Sequence, residues 1–309
     1  MSKHNCNSIS NETKWTDDSI RWSEEEQRQS TPHRTQEEEE EDESNACCID
    51  IFKDPDPHES FQFHFELNNS IDGDNVNVND EEPSLSPSED VIDIELNGYK
   101  YSSDEIWQST GLTLWKASEH LCHYLVKHRH DEEMNLCNND NNNNNNDKRR
   151  ILELGAGLGL VGILAHRISS PQSHVYLTDG DTEALVYLRE NVESNKSKDG
   201  TTGGDISCNQ LLWGRQTSLD FLEQHGEKFN VILASDIVYS PVIIEPLWET
   251  IQCLLDTHGV FVFAYARRKV PVSIDDVLEA SKKAGFRYEK CVETDEEKGI
   301  YIYKFRWKN

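Results

Sequence analysis

The sequence predicts an α/β fold, a mostly parallel sheet covered by helices on both faces and closed at one edge by an antiparallel strand pair. Three observations carry this. From Arg150 onward, short apolar runs of strand length alternate with segments of helical length. A glycine-rich turn, Gly155-Ala156-Gly157-Leu158-Gly159, joins the first of these strands to the first of these helices. The chain then ends on two runs, residues 286–292 and 300–306, that read as an antiparallel pair.

Residues 1–90 hold 25 Asp and Glu against 6 Lys and Arg, within a chain of 309 residues and formal net charge −28. So acidic a stretch, so poor in apolar side chains, buries too little surface to offset the entropy of ordering it. Residues 1–88 are therefore expected to be mostly disordered, with the ordered domain starting near residue 89. Inside the tail, Phe61, Phe63, Phe65 and Leu67 alternate with polar residues, the period of a half-buried strand. Residues 91–96 and 99–101 flank Asn97-Gly98, a dipeptide suited to the positive φ angles of a tight hairpin turn. Leu114, Ser118, Leu121 and Leu125 recur at helical spacing and predict an amphipathic helix over 112–129. The asparagine tract, residues 138–147 with its flanks, reads as a disordered insertion. Beyond it the expected strands are 151–154, 174–178, 206–212, 230–234 and 259–264. The expected helices are 158–168, 181–195 with Asp181 as its cap, 241–255 and 273–284, with a glycine-bearing loop at 200–204.

Composition narrows the function. Strong acidity argues against nucleic acid, whose phosphates need Lys and Arg, and favours basic protein surfaces. Eight cysteines with no CxxC spacing fit free thiols in a reducing compartment. The first ten residues lack an apolar signal core, and no run reaches the length of a membrane span. A cytoplasmic protein, with the nucleus also open to it, is expected. His120, Cys122, His123, His128, His130 and Cys137 have irregular spacing with no anchoring metal-ligand pair, so a solvated helix face is expected there and no metal.

The sharpest motif is Glu153-Leu154-Gly155-Ala156-Gly157-Leu158-Gly159, after an apolar strand and before a helix. Glycines let the backbone turn tightly and let a ligand approach closely, and the helix N-terminus offers N–H groups to an anion. The same loop satisfies the dinucleotide pattern as Gly157-Leu158-Gly159-Leu160-Val161-Gly162. Asp179, ending the second strand, suits ribose hydroxyls in either kind of cofactor, and an Asp there also serves to start the turn before Asp181. Three further segments stand at telling positions: Gly111-Leu112-Thr113-Leu114-Trp115 upstream, Leu211-Leu212-Trp213-Gly214 ending strand three, and Ser235-Asp236-Ile237-Val238-Tyr239 ending strand four.

Taken in order, these pieces resemble the protein lysine methyltransferases of methyltransferase family 16, over roughly residues 89–309. The resemblance implies a Rossmann-like seven-stranded methyltransferase sheet and S-adenosyl-L-methionine as cofactor. It implies that Trp115 contacts the cofactor, and that Glu153, Gly155, Gly157 and Gly159 form the pocket for its methionine end. Asp179 would hold the ribose, Leu212 and Trp213 would flank the adenine, and Asp236 and Tyr239 would line the substrate channel. Lys116 follows the tryptophan where many relatives carry an acidic residue or proline. The implied partner is a protein substrate, its lysine on a basic surface, met by a monomer or by an enzyme complexed with that substrate.

Methyl transfer from a sulfonium is an in-line displacement, so positioning and exclusion of water do most of the work. A lysine, of ordinary pKa about 10.4, must first lose its proton, which a desolvating channel favours. Asp236 is expected to fix the amine by a charge-assisted hydrogen bond, and Tyr239 to give an aromatic wall. Capping of the following helix, near Pro241, is the simpler role for Asp236, and packing the simpler role for Tyr239, Trp115 and Trp213. Three other readings stay open: a nicotinamide-dependent oxidoreductase, an inactive scaffold of the same fold, and a methyltransferase acting on histidine or a small metabolite.

Overall fold

A computed structural model of the chain describes residues 57–67, 91–103, 109–137, 148–196 and 204–308. The expected disorder of the tail, apart from residues 57–67, and that of the asparagine insertion lie outside these residues. So does most of the 200–204 loop.

The main sheet has seven strands, β3 (Arg150–Leu154), β4 (His174–Asp179), β5 (Asp205–Gln210), β6 (Phe229–Ser235), β7 (Leu255–Ala266), β8 (Phe286–Lys290) and β9 (Ile300–Trp307), in the order β5-β4-β3-β6-β7-β9-β8. β3 to β7 are parallel, and β9 runs antiparallel between β7 and β8. Alternate side chains feed two cores. Ile151, Val175, Leu177, Val231, Leu233 and Val262 face one side, where they meet α1 (Lys116–His128), α2 (Leu160–Ile168) and α3 (Thr182–Ser194). Leu152, Tyr176, Ile232, Phe261 and Phe263 face the other, against α4 (Arg215–His225), α5 (Ile244–Leu254) and α6 (Ile274–Lys283). Burial on both faces is why these strands read as continuous apolar runs. From β3 the chain moves outward through β4 and β5, then returns to place β6 on the other side of β3. The carboxyl ends of β3 and β6 therefore border a crevice that helices do not fill.

A second sheet pairs β1 (His58–Glu66) antiparallel with β2 (Val91–Tyr99), Phe61 opposite Leu96 and Phe65 opposite Ile92. Phe65, Ile92, Ile94 and Leu96 are buried in the core shared with α1 and α2. The folded unit thus reaches back past residue 89 to take in β1. The expected hairpin turn at Asn97-Gly98 is not formed, because both residues lie inside β2 and pair with Ser60 and Glu59. Glycine serves a close approach there: a Cβ on Gly98 would come 2.5 Å from Leu158 Cδ1 and 2.8 Å from the Leu112 carbonyl. Asn191, fully buried on α3, fastens this strand by accepting from the Asn97 N–H at 2.8 Å and donating to the Asn97 and Leu158 carbonyls.

Other boundaries differ from the sequence reading for identifiable reasons. The helix expected from residue 112 begins at Lys116, after a 3-10 turn at Thr110–Leu112, because the Asp236 carboxylate receives the Ala117 N–H and sets the helix start. Helix α4 was not expected, since it buries only Ser218 and Phe221 and carries almost no apolar period. The helix expected over 241–255 splits into a 3-10 turn, Pro241–Ile243, and α5. No helix among the described residues is long and apolar enough to cross a membrane.

Candidate active site

The crevice at the carboxyl ends of β3, β4, β5 and β6 is a cavity of about 680 Å³, arched over by residues 109–115. All ten residues singled out from the sequence line it: Trp115, Glu153, Gly155, Gly157, Gly159, Asp179, Leu212, Trp213, Asp236 and Tyr239.

The turn after β3 is left-handed at three alternate glycines, with φ of +62° at Gly155, +51° at Gly157 and +92° at Gly159. A side chain is strained at each, which is why the spacing is fixed. Space adds a second constraint, since a Cβ on Gly155 would lie 2.7 Å from Ile237 Cγ2. The Gly157 N–H donates to Asp179 Oδ2 at 2.9 Å and the Asp181 N–H to Asp179 Oδ1 at 3.0 Å, so Asp179 holds the turn in place. Burial pushes its carboxyl above the usual range, against the pull of those N–H groups. Lone pairs remain on both oxygens for a hydroxyl donor. Leu160 and Val161, in the first turn of α2, line the cavity where helical N–H groups have no intrahelical partner.

Glu153 sits beneath the turn, fully desolvated and accepting the Gly162 N–H at 2.8 Å. Burial pushes its carboxyl up to about 8, opposed by the Gly162 bond and aided by the Asp179 charge. On the far side, Leu212 and Trp213 follow β5. Leu212 is open to solvent, whereas Trp213 packs partly on the second core.

Asp236 departs from the role expected of it. It is a non-glycine residue at φ +54°, and its side chain is 1% exposed. Oδ2 receives the Ala117 N–H at 3.2 Å, Oδ1 receives the Ala266 N–H at 2.9 Å, and Arg268 Nη2 stands 3.4 Å from Oδ1. Both oxygens thus already accept from the protein, with the Arg268 cation beside Oδ1 and only 1% of the side chain exposed, and the helix capped is the upstream α1, not the one that follows. Burial still raises its carboxyl above the usual range, with Arg268 pulling it down. Tyr239, three residues on, is 45% exposed at the cleft.

Trp115 donates from Nε1 to the Thr110 carbonyl at 2.8 Å and meets Tyr101 edge-on at 5.7 Å. Sequence reasoning missed the group on its other face: the Arg268 guanidinium carbon lies 4.4 Å from the ring centroid, and Nη2 donates to the Asp236 carbonyl at 2.7 Å. The Arg267-Arg268-Lys269 triplet at the carboxyl edge of β7 was the available signal. The histidine cluster has other partners, His128 meeting Asp131 at 2.8 Å and Glu293 at 2.7 Å, and His120 facing Asp295 at 3.6 Å.

A family model described as lysine methyltransferase matches residues 101–278, more than half of the chain. Protein-lysine N-methyltransferase EFM3 of Chaetomium thermophilum is 29% identical over 182 residues, which are 58% of this chain and 48% of that protein. Protein-lysine N-methyltransferase EFM6 of Saccharomyces cerevisiae is 28% identical over 186 residues, 56% of this chain and 71% of that protein. Protein N-lysine methyltransferase METTL21A of Danio rerio is 25% identical over 225 residues, 72% of this chain and 90% of that protein. The match therefore spans about half the length of the first of these relatives and most of the third.

Proposed function

The chain belongs to the lysine methyltransferase family, and from that premise we propose that it transfers the methyl group of S-adenosyl-L-methionine to a lysine side chain of a protein substrate. The observation that carries this reading is the gathering of the glycine turn, Asp179 and the Asp236–Tyr239 corner in one cleft.

The residues present suit the cofactor chemically. The left-handed turn keeps side chains away from its path, and the first turn of α2 suits a carboxylate. Glu153 suits an ammonium, Asp179 a pair of ribose hydroxyls, and Leu212 with Trp213 a flat heteroaromatic ring. When bound, S-adenosyl-L-methionine supplies an electrophilic methyl group on a sulfonium. The chain's share is to orient the lysine amine toward it and to exclude water. Tyr239 walls the channel and favours the positive charge that develops on the nitrogen as the methyl group arrives. Asp236 acts through structure: its carboxylate fixes the start of α1 and the end of β7, and so places Trp115 and Tyr239. The amine's proton leaves to solvent once burial has lowered its pKa.

We place the catalytic domain at residues 89–309 with β1 added ahead of it, acting as a monomer or in complex with its substrate. The acidic N-terminal stretch suits basic substrate surfaces in the cytoplasm or nucleus. The glycine turn alone would also suit a nicotinamide dinucleotide; family membership weighs against that reading and against an inactive scaffold. Calorimetry with S-adenosylhomocysteine and with NAD tests the choice directly. Binding of the first and labelling of lysine by radiolabelled S-adenosyl-L-methionine are expected. Tight NAD binding with no response to S-adenosylhomocysteine would overturn it.

A further inference from the structure

The inference here rests on the lysine-directed reading above and concerns the chain around the target lysine. Large apolar side chains stay exposed around the cleft. Leu212 is 58% exposed and Val242 77%, and Tyr101 and Tyr239 are exposed beside them. Leu212 and Tyr239 line the cavity, Val242 adjoins the cavity residue Ile243, and Tyr101 packs edge-on against Trp115. Apolar surface gathered at one mouth marks a contact surface.

Cations stand beside it. The Ala117 and Ala266 N–H groups bond the two oxygens of the single Asp236 carboxylate, so the backbones of their neighbours Lys116 and Arg267 start from the same corner, with the Arg267 side chain lying along Gly299. Lys269 follows Arg268, whose own charge is spent on Asp236 and Trp115. Lys116, Arg267 and Lys269 are exposed, and among the described residues none has an ion-pair partner. Lys127, Lys196, Lys290, Lys298 and Lys304 each hold a carboxylate, whereas Lys148, Lys228 and Arg287 also lack one among the described residues; what sets Lys116, Arg267 and Lys269 apart is that they start from one corner of the cleft. Exposed acids on neighbouring elements are Glu119 one turn along α1, Asp275 and Asp276 at the start of α6, and Glu296 and Glu297 in the β8–β9 loop whose Gly299 carbonyl receives the Arg267 N–H; none makes an ion pair with these cations, Glu296 being held by Lys290 and Asp276 by Ser273.

We propose that this corner reads a carboxylate near the target lysine. The substrate is an extended protein segment with an Asp or Glu within a few residues of the methylated lysine. That carboxylate is held among Lys116, Arg267 and Lys269, and apolar neighbours rest on Tyr101, Leu212 and Val242. The acidic N-terminal stretch attracts basic surfaces; at the mouth the sign reverses, and within a Debye length of about 8 Å the local charges decide.

The test uses the full chain, radiolabelled S-adenosyl-L-methionine and synthetic peptides of one lysine. In them Glu or Gln is placed in turn at each of three positions on either side, and Arg-for-Lys peptides serve as controls. At one or more positions Glu is expected to raise kcat/KM over Gln roughly three- to tenfold, the scale of one or two exposed charge pairs. In the K116Q/R267Q/K269Q variant the ratio should fall to about one, with Gln peptides methylated as by the wild type. Lysine methylation with no Glu preference, or with a preference the variant keeps, would overturn the inference and leave the lysine-directed activity standing. An enzyme that binds S-adenosylhomocysteine yet labels no lysine peptide would overturn methylation of extended lysine segments, and this inference with it.

Discussion

Arg268 and Trp115 form one unit: the guanidinium carbon lies 4.4 Å over the indole ring, and the same side chain donates to the Asp236 carbonyl at 2.7 Å. Three segments far apart in sequence, the arch over the cleft, the end of β6 and the end of β7, are held at a common corner by it. Arg268→Ala should leave the buried Asp236 carboxylate without its cation, at a cost of about 1–3 kcal/mol. The sign of its pH dependence follows from Asp236, whose folded pKa is already raised and would rise further. A raised carboxyl destabilises the fold above its unfolded pKa, so the melting-temperature loss should be larger at pH 8 than at pH 5. Methylation should fall about tenfold or more, with Arg268→Lys intermediate because a lysine keeps the charge and loses the flat stacking surface. Equal losses at both pH values would detach Arg268 from Asp236.

Asp179 holds the glycine turn through the Gly157 and Asp181 N–H groups and faces the cavity. Asp179→Asn keeps the volume and one acceptor oxygen. It should weaken S-adenosylhomocysteine binding by roughly 1–3 kcal/mol, the scale of a charged hydrogen bond, with a smaller stability loss than Asp179→Ala. Unchanged affinity in the calorimeter would remove the residue from cofactor binding.

Glu153 separates stability from function. Its folded pKa of about 8 exceeds the ordinary value of 4.5, burial being the first cause. The native state therefore holds the proton more tightly than the unfolded chain, and stability falls as pH climbs between those two values because the unfolded chain ionises while the native carboxyl stays protonated. Glu153→Gln should match the wild type near pH 4.5 and surpass it by on the order of 3 kcal/mol at pH 7. Above pH 8, where the wild-type carboxyl is ionised, the same variant should bind S-adenosylhomocysteine more weakly, having no charge to offer an ammonium. Melting curves of both proteins from pH 5 to 9 decide the first point; a constant offset would show that the carboxyl is not strained.

How much of this was legible in the sequence depended on whether a contact was local. The run Ile151-Leu152-Glu153-Leu154 is buried throughout, and a doubly covered strand shows as such without knowledge of its neighbours. The glycine spacing was legible for the same reason, since three left-handed residues in five fit few other structures. Gly98 was misread because Asn-Gly in a hairpin and Asn-Gly under a crossing leucine are the same letters; the Leu158 methyl that excludes a Cβ is 60 residues away in sequence. Helix α4 hid because it rests on the sheet through little more than Phe221. The orientation of Asp236 toward α1 and the stacking of Arg268 on Trp115 are long-range contacts that no periodicity records.

The reach of the fold toward the N-terminus gives a last test. Residues 58–66 pair along the whole of β2, and Phe65 is buried against α1, with its ring 5.4 Å from His123 in an edge-on contact. Removing residues 1–55 leaves every one of these contacts in place, so melting temperature and cofactor affinity should stay close to those of the full chain. Removing residues 1–80 strips β1, bares the Ile92, Ile94 and Leu96 face, and frees an edge strand for pairing with other molecules. Loss of Phe65 alone should cost about 3–5 kcal/mol. In a domain of this size that is on the order of 10 °C. The shorter protein should also aggregate through that edge and bind S-adenosylhomocysteine more weakly, because β2 lies against the Leu158 end of the glycine turn through Gly98 and Asn191 and would carry its disorder into the cleft. If the longer truncation melted and bound S-adenosylhomocysteine like the full chain, β1 would be an ornament on the domain, and the boundary near residue 89 would stand.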